Sequence, residues 1–199
     1  MIDKNRLLAI TDGIVAIAAT IMVLQLVIPE DVTIASVMEQ WPTFIAYVIS
    51  FVQVFLAWHE HHDSLANAEY INHRIFLINC LWLFFITLLP FATGVVGHSP
   101  DSQAAMLLYI LILFLVQLCI TIESCAITKL NNTVVLDHEV IRVIRIISFA
   151  GYVFAAASTF LSPFAAYIII LVLSFAEITL MCTYDIKIGK LLKKDKADQ

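Results

Sequence analysis

The chain has 199 residues, of which 61% are hydrophobic and 14% charged, with a formal net charge of −5. A soluble domain carries about 45–50% apolar and about 25% charged residues, so this apolar excess exceeds what one soluble core can absorb. The composition excludes an ordinary soluble domain, a disordered tail and a basic nucleic-acid-binding surface, and it points to lipid as the solvent.

A helix needs roughly 20 apolar residues to cross a bilayer. Six segments qualify: 7–28, 41–58, 75–96, 104–128, 142–161 and 163–184. The sequence therefore predicts an all-α, polytopic membrane protein with six transmembrane helices. They form a single domain over 1–199, with no linker. The first segment is too long for a cleavable signal peptide, contains Asp12, and lacks a small-residue cleavage pattern. Pro29 closes the first segment, Pro90 sits late in the third, and Pro163 opens the sixth, where a helix accepts proline. Trp41, Trp58 and Tyr184 stand at segment ends, as interfacial anchors do.

Lys and Arg fix the expected orientation. Lys4 and Arg6 precede the first segment, and Arg74 lies between the second and third. Lys129, Arg142 and Arg145 flank the link between the fourth and fifth, and Lys187, Lys190, Lys193, Lys194 and Lys196 follow the sixth. Six crossings put all of them on one side, so the positive-inside rule predicts cytoplasmic N- and C-termini. The opposite connections carry Glu30, Asp31, Glu39 and Asp101 and no basic residue, which raises the local cation concentration. Residues 187–199 read as a solvated tail that favours anionic lipid head groups. Cys80, Cys119, Cys125 and Cys182 all fall inside segments and imply packing rather than disulfides. Ala155, Ala156, Ala157 and Ser158 give the fifth segment a small face for close packing.

An ionisable residue within a span is a functional candidate by default. Asp12, Glu123 and Glu177 qualify. Glu123 and Glu177 lie near the cytoplasmic end and read as interfacial carboxylates. Asp12 sits about one and a half turns into its segment and needs partners within the protein, because lipid cannot solvate it. At about 100° per residue, Gly13, Ile17, Thr20 and Leu24 form one stripe bordered by Ile21 and Ile28, with Asp12 about 100° from Gly13. Asn79 and Trp82 lie at similar depth on the third segment. A polar network of Arg6, Thr11, Asp12, Asn79 and Trp82 is expected to hold the first helix and aim its stripe elsewhere.

The segment Arg6-Leu-Leu-Ala-Ile-Thr-Asp12 resembles the Arg-x-x-x-Phe-Ser-Asp signature of the transmembrane protein 175 family, the endosomal and lysosomal potassium channels and their prokaryotic relatives. Ile10 replaces the family's Phe and Thr11 its Ser, each keeping its character. Trp58-His-Glu-His-His62 and Asn79…Trp82…Leu89-Pro90-Phe91 are similar to the family's second and third helices. The resemblance implies a potassium-selective cation channel without an ordinary filter loop, in the prokaryotic single-repeat form that assembles as a homotetramer in the cell membrane. It implies a hydrophobic constriction at Ile17, further pore positions at Ile21 and Leu24, and selectivity linked to the hydroxyl of Thr20. The expected partners are potassium ions, the lipid bilayer and further copies of the chain, with no cofactor, no metal and no nucleic acid.

Two other readings compete. A cation-coupled secondary transporter would use Asp12, Glu123 or Glu177, but neither an inverted repeat nor a pair of Gly/Pro-broken helices is visible. A metal-dependent membrane enzyme would use His59-Glu-His61-His62-Asp63, but no third ligand stands at fitting depth. The chain is therefore not read as an enzyme, and the histidines read as a solvated helix end.

Overall fold

The computed structural model describes residues 3–131 and 138–197, and among them every regular element is helical. The first helix, α1 (Lys4–Met22), begins where the Asp3 carboxylate accepts from the backbone amide of Asn5 at 2.9 Å. It tightens into a 3-10 turn at Val23–Gln25 and ends where Leu26 turns extended. The α-helix thus stops earlier than residue 28, and Leu24 rides on the 3-10 turn. A short helix that the sequence reading missed, α2 (Ile34–Glu39), follows in the 29–40 connection. It is nucleated by a reciprocal cap in which Thr33 Oγ1 accepts from the Ser36 amide and Ser36 Oγ accepts from the Thr33 amide.

α3 (Trp41–Ala66) and α4 (His73–His98) are both longer than expected. α3 continues two turns past Trp58, so His59–Asp63 ride on a helix rather than at its end. α4 starts where the Asn72 side chain accepts from the Ile75 amide at 2.9 Å. α5 (Gln103–Asn131) comes next. α6 (His138–Ser158) leads through a tight turn to α7 (Pro163–Ala197), which has proline at its first position. Where the helix was expected to stop at residue 184, α7 continues through the lysine-rich segment.

α4 is the centre of the bundle and packs along α1, α3 and α5; α6 and α7 form a hairpin laid against α5 and α3. Met22, Ile49, Trp82, Ile86, Leu89, Met106, Tyr109 and Ile120 are fully enclosed in the main core. Ser50 Oγ lies 2.7 Å from Thr93 Oγ1 and 2.8 Å from the Tyr109 hydroxyl, so polar groups join α3, α4 and α5 mid-bundle. Gly97 lets α4 meet α3 at backbone distance, since a Cβ there would stand 2.7 Å from the Thr43 Cα.

A second, smaller core of Leu7, Leu65, Ala68, Ile71, Ile75 and Ile127 gathers the start of α1, the end of α3, the start of α4 and the end of α5. Around it, Lys4 Nζ donates to the carbonyls of Ala66 and Ala68, both at 3.0 Å. Asn131 closes the other side: its side-chain oxygen accepts from the amides of Glu69 and Tyr70. The base of α1 is thereby fixed to the α3–α4 connection. Among the described residues, five helical stretches are long and apolar enough to cross a membrane: Lys4–Gln25, Trp41–Ala66, His73–His98, Gln103–Asn131 and Pro163–Thr183.

Candidate functional site

α1 has two unlike faces. Leu7, Thr11, Val15, Ala18, Ala19 and Met22 are buried against α3 and α4. The opposite face carries Arg6, Gly13, Ile17, Thr20, Ile21 and Leu24, all exposed in the protomer, with Ile17 at 60% and Leu24 at 72%. This is the stripe that the helical wheel predicts. Thr20 Oγ1 donates to the Ile17 carbonyl at 2.8 Å. Its proton is thus turned back into the helix, and its oxygen lone pairs remain available on the exposed face.

Asp12 stands at the boundary between the two faces. Its Oδ1 accepts from the indole N–H of Trp58 at 2.8 Å and lies 3.7 Å from His62 Nδ1, while the side chain stays 40% exposed. The expected contact with Asn79 does not form, because Thr11, one residue earlier, is the residue that points at α4. Thr11 Oγ1 lies 3.4 Å from Asn79 Oδ1 and 3.3 Å from Nδ2. Asn79 Nδ2 is in turn 2.6 Å from His61 Nε2. The His61 ring lies parallel to Trp82, with centroids 4.3 Å apart. Of the five expected network residues, Thr11, Asn79 and Trp82 therefore meet around His61, Asp12 joins Trp58 and His62 instead, and Arg6 points away on the exposed face.

Three readings need correction. His61 is 1% exposed, so the histidine cluster is not uniformly a solvated helix end: His59 and Asp63 pair along the surface at 3.7 Å, and His61 turns inward. These side chains diverge rather than converge on one point, which is the opposite of what a metal centre requires. Glu123 is not interfacial; it is wholly buried, with Oε1 3.5 Å from His61 Nε2. Glu177 is also buried, and it is fully partnered. Gln53 Nε2 donates to its Oε2 at 2.8 Å, Ser148 Oγ donates to its Oε1, and Tyr152 donates to Gln53 Oε1 at 2.8 Å. Gln53 Nε2 also donates to Ser174 Oγ at 3.0 Å. The α6–α7 hairpin is thus keyed to α3 by a polar knot. One turn or two along, Arg145 donates to Glu60 and adds an ion pair between α6 and α3.

His61 escapes a reading that ends the second span at residue 58, and Gln53, inside that span, is not singled out by it. With α3 extended, Gln53, Ala57, His61 and Leu65 form an i, i+4 row along one buried face. That spacing is the signal that locates both polar residues.

A family model described as endosomal/lysosomal potassium channel TMEM175 matches residues 6–90, which span α1, α3 and most of α4. The chain is 33% identical over 165 residues to the potassium channel HX13_20290 of Chryseobacterium sp. (strain P1-3), covering 82% of this chain and 86% of that protein. The chain belongs to the TMEM175 family. A second relative is the potassium channel Cha6605_3372 of Chamaesiphon minutus, 28% identical over 116 residues that cover 54% of this chain and 57% of that protein. The TMEM175 fold is also evident in three dimensions. A crystal structure of a lysosomal potassium-selective channel TMEM175 homolog from Chamaesiphon minutus matches with a TM-score of 0.77 at 22% identity, over 88% of this chain and 96% of that one. Arg6, Thr11, Asp12, Asn79 and Trp82 all lie within the stretch that the TMEM175 model covers. The chain is a multi-pass membrane protein of this channel family, not an enzyme.

Proposed function

We propose that this protein is a potassium-selective channel of a prokaryotic plasma membrane, in which four copies of α1 surround the pore. The observation that carries the reading is the exposed row Ile17, Thr20, Ile21 and Leu24 beside a half-exposed Asp12. A carboxylate at this depth is not stable against lipid, so this side of α1 faces water or another protomer. Relatives described as potassium channels support the same conclusion.

In this arrangement Ile17 forms a hydrophobic ring that closes by contact and dewetting. Ile21 and Leu24 continue the wall outward. The outward lone pairs of Thr20 replace part of the hydration shell of a passing cation. Potassium holds its shell less tightly than sodium, so a partly dehydrating passage without a filter loop favours potassium. The network of Thr11, Asn79, Trp82 and His61, with Asp12 on Trp58, anchors the opposite side of α1. The transporter alternative needs carboxylates that converge on one substrate. Asp12, Glu123 and Glu177 sit in separate clusters, on Trp58, His61 and Gln53 respectively, which favours the channel.

Planar-bilayer recording of the purified protein, with potassium on one side and sodium on the other, tests the function. The expected result is a reversal potential displaced in the direction of potassium selectivity. Thr20→Val, which keeps shape and removes the oxygen, is expected to move the reversal potential toward zero while current persists. Absence of current, or a Thr20→Val reversal potential equal to that of the wild type, contradicts the reading.

The proposed topology has six crossings, with α6 as the fifth, and both ends in the cytoplasm. Cysteine reporters at Ser36 and Ser102 are expected to react with impermeant thiol reagents added outside, and one at Ser64 is not. External labelling at Ser64 would overturn the orientation.

A further inference from the structure

We propose that His61 and Glu123 form a buried proton-binding site whose state is passed to α1 through Asn79 and Thr11. Both side chains are almost wholly enclosed, at 1% and 0% exposure, between α3 and α5. Among the described residues, neither Glu123 oxygen has a hydrogen-bond donor, and His61 Nδ1 and Trp82 Nε1 are also unpartnered. A buried carboxylate without donors is stable only when a proton sits on it or a cation sits beside it. His61 is the group placed to supply that positive charge, with Nε2 3.5 Å from Oε1.

Other charges are committed elsewhere. On α1, Asp12 faces Trp58 and His62. On α3, Glu60 is paired with Arg145. On α7, Glu177 is held by Gln53 and Ser148. From α4 the neighbours are Asn79 and Trp82, both neutral, and on α5 Cys119 lies one turn from Glu123. His61 and Glu123 thus face one another as one enclosed pair, which takes its proton from water and returns it to water.

The geometry ties this proton to α1. Asn79 Nδ2 lies 2.6 Å from His61 Nε2, a contact that forms a hydrogen bond only when Nε2 accepts. A proton on Nε2 would set N–H against N–H, and a half-turn of the Asn79 amide relieves this by presenting Oδ1 instead. Thr11 Oγ1 is nearly equidistant from the two ends of that amide, at 3.4 Å from Oδ1 and 3.3 Å from Nδ2. A hydroxyl donates or accepts equally well, so the reversal reaches α1 without loss of a bond. The consequence for conduction rests on α1 lining the pore, as proposed above; the proton site itself does not.

The test is solid-state 15N NMR of the histidine-labelled and asparagine-labelled protein in bilayers, titrated from about pH 5 to pH 8, with His61→Gln identifying the His61 signals. The expected result is that the His61 ring and the Asn79 amide change together with one midpoint. In Glu123→Gln, which preserves shape, that midpoint is expected to move by about one pH unit or more, as the loss of an adjacent charge does. A His61 midpoint unmoved by Glu123→Gln, or an Asn79 amide that ignores the His61 titration, overturns the proposal. The measurement needs no current. A protein that does not conduct but shows the coupled, Glu123-dependent titration keeps this site and removes the channel reading. One that conducts potassium with a His61 indifferent to Glu123 does the reverse.

Discussion

Gln53→Leu is expected to be the most destabilising single substitution in the bundle's polar interior. It removes the amide that donates to Glu177 and Ser174 and the oxygen that accepts from Tyr152. Losing a hydrogen bond to a charged group costs about 1.5–3 kcal/mol, and leaving a buried hydroxyl unpaired costs about 1–3 kcal/mol. A loss of about 3 kcal/mol or more follows, and in a chain of this size it corresponds to roughly 6–12 °C in melting temperature. The double variant Gln53→Leu with Glu177→Leu is expected to recover a large part of that loss, because replacing both partners by apolar groups removes the unpaired charge. Thermal melting in detergent checks both. A single variant as stable as the wild type would show that the Gln53 hydrogen bonds do not hold α6–α7 to α3.

The second large effect is on conduction and comes from Ile17→Ala. Ile17 is exposed in the protomer and contributes little to the packing of its own chain, and alanine is the better helix former. The stability cost is therefore expected to stay below about 0.5 kcal/mol, as for surface substitutions. Removing the branched end of the side chain widens and wets the ring that four copies form. If this lowers the ion's barrier by about 1 kcal/mol, single-channel conductance rises roughly five-fold. Ala18→Val, one residue along but on the buried face, is expected to disturb packing and leave conductance per channel unchanged. Bilayer recording beside a melting curve separates the two outcomes.

What the sequence makes legible follows from the strength of each physical signal. Long apolar runs have no stable alternative to helices in lipid, so the helices were readable, as was the division of α1 into an exposed stripe and a buried face. Helix ends were less so. His59–Asp63 look like a polar terminus by composition, yet α3 carries them onward because Gln53, Ala57, His61 and Leu65 share a buried row. The short helix α2 is set by a local Thr33–Ser36 cap rather than by any hydrophobic period. Partner choice was the least legible. Thr11 and Asp12 are adjacent, and about 100° of helical rotation decides which of them meets Asn79. That rotation depends on how α1 seats against α3 and α4, a tertiary property that residue types alone do not encode. Glu123 and Glu177 look alike in sequence and differ in partners: one faces a histidine and has no donor among the described residues, the other accepts from Gln53 and Ser148.

The central claim is that the exposed row of α1 lines the ion path. The most direct test is chemical modification of single cysteines during bilayer recording, in a background where Cys80, Cys119, Cys125 and Cys182 have been replaced. A membrane-impermeant cationic thiol reagent applied to Ile17→Cys or Leu24→Cys is expected to block current progressively and irreversibly. The same reagent applied to Ala18→Cys, on the buried face, is expected to leave current unchanged. Current that survives complete modification at Ile17 and Leu24 would place the pore elsewhere and contradict the account.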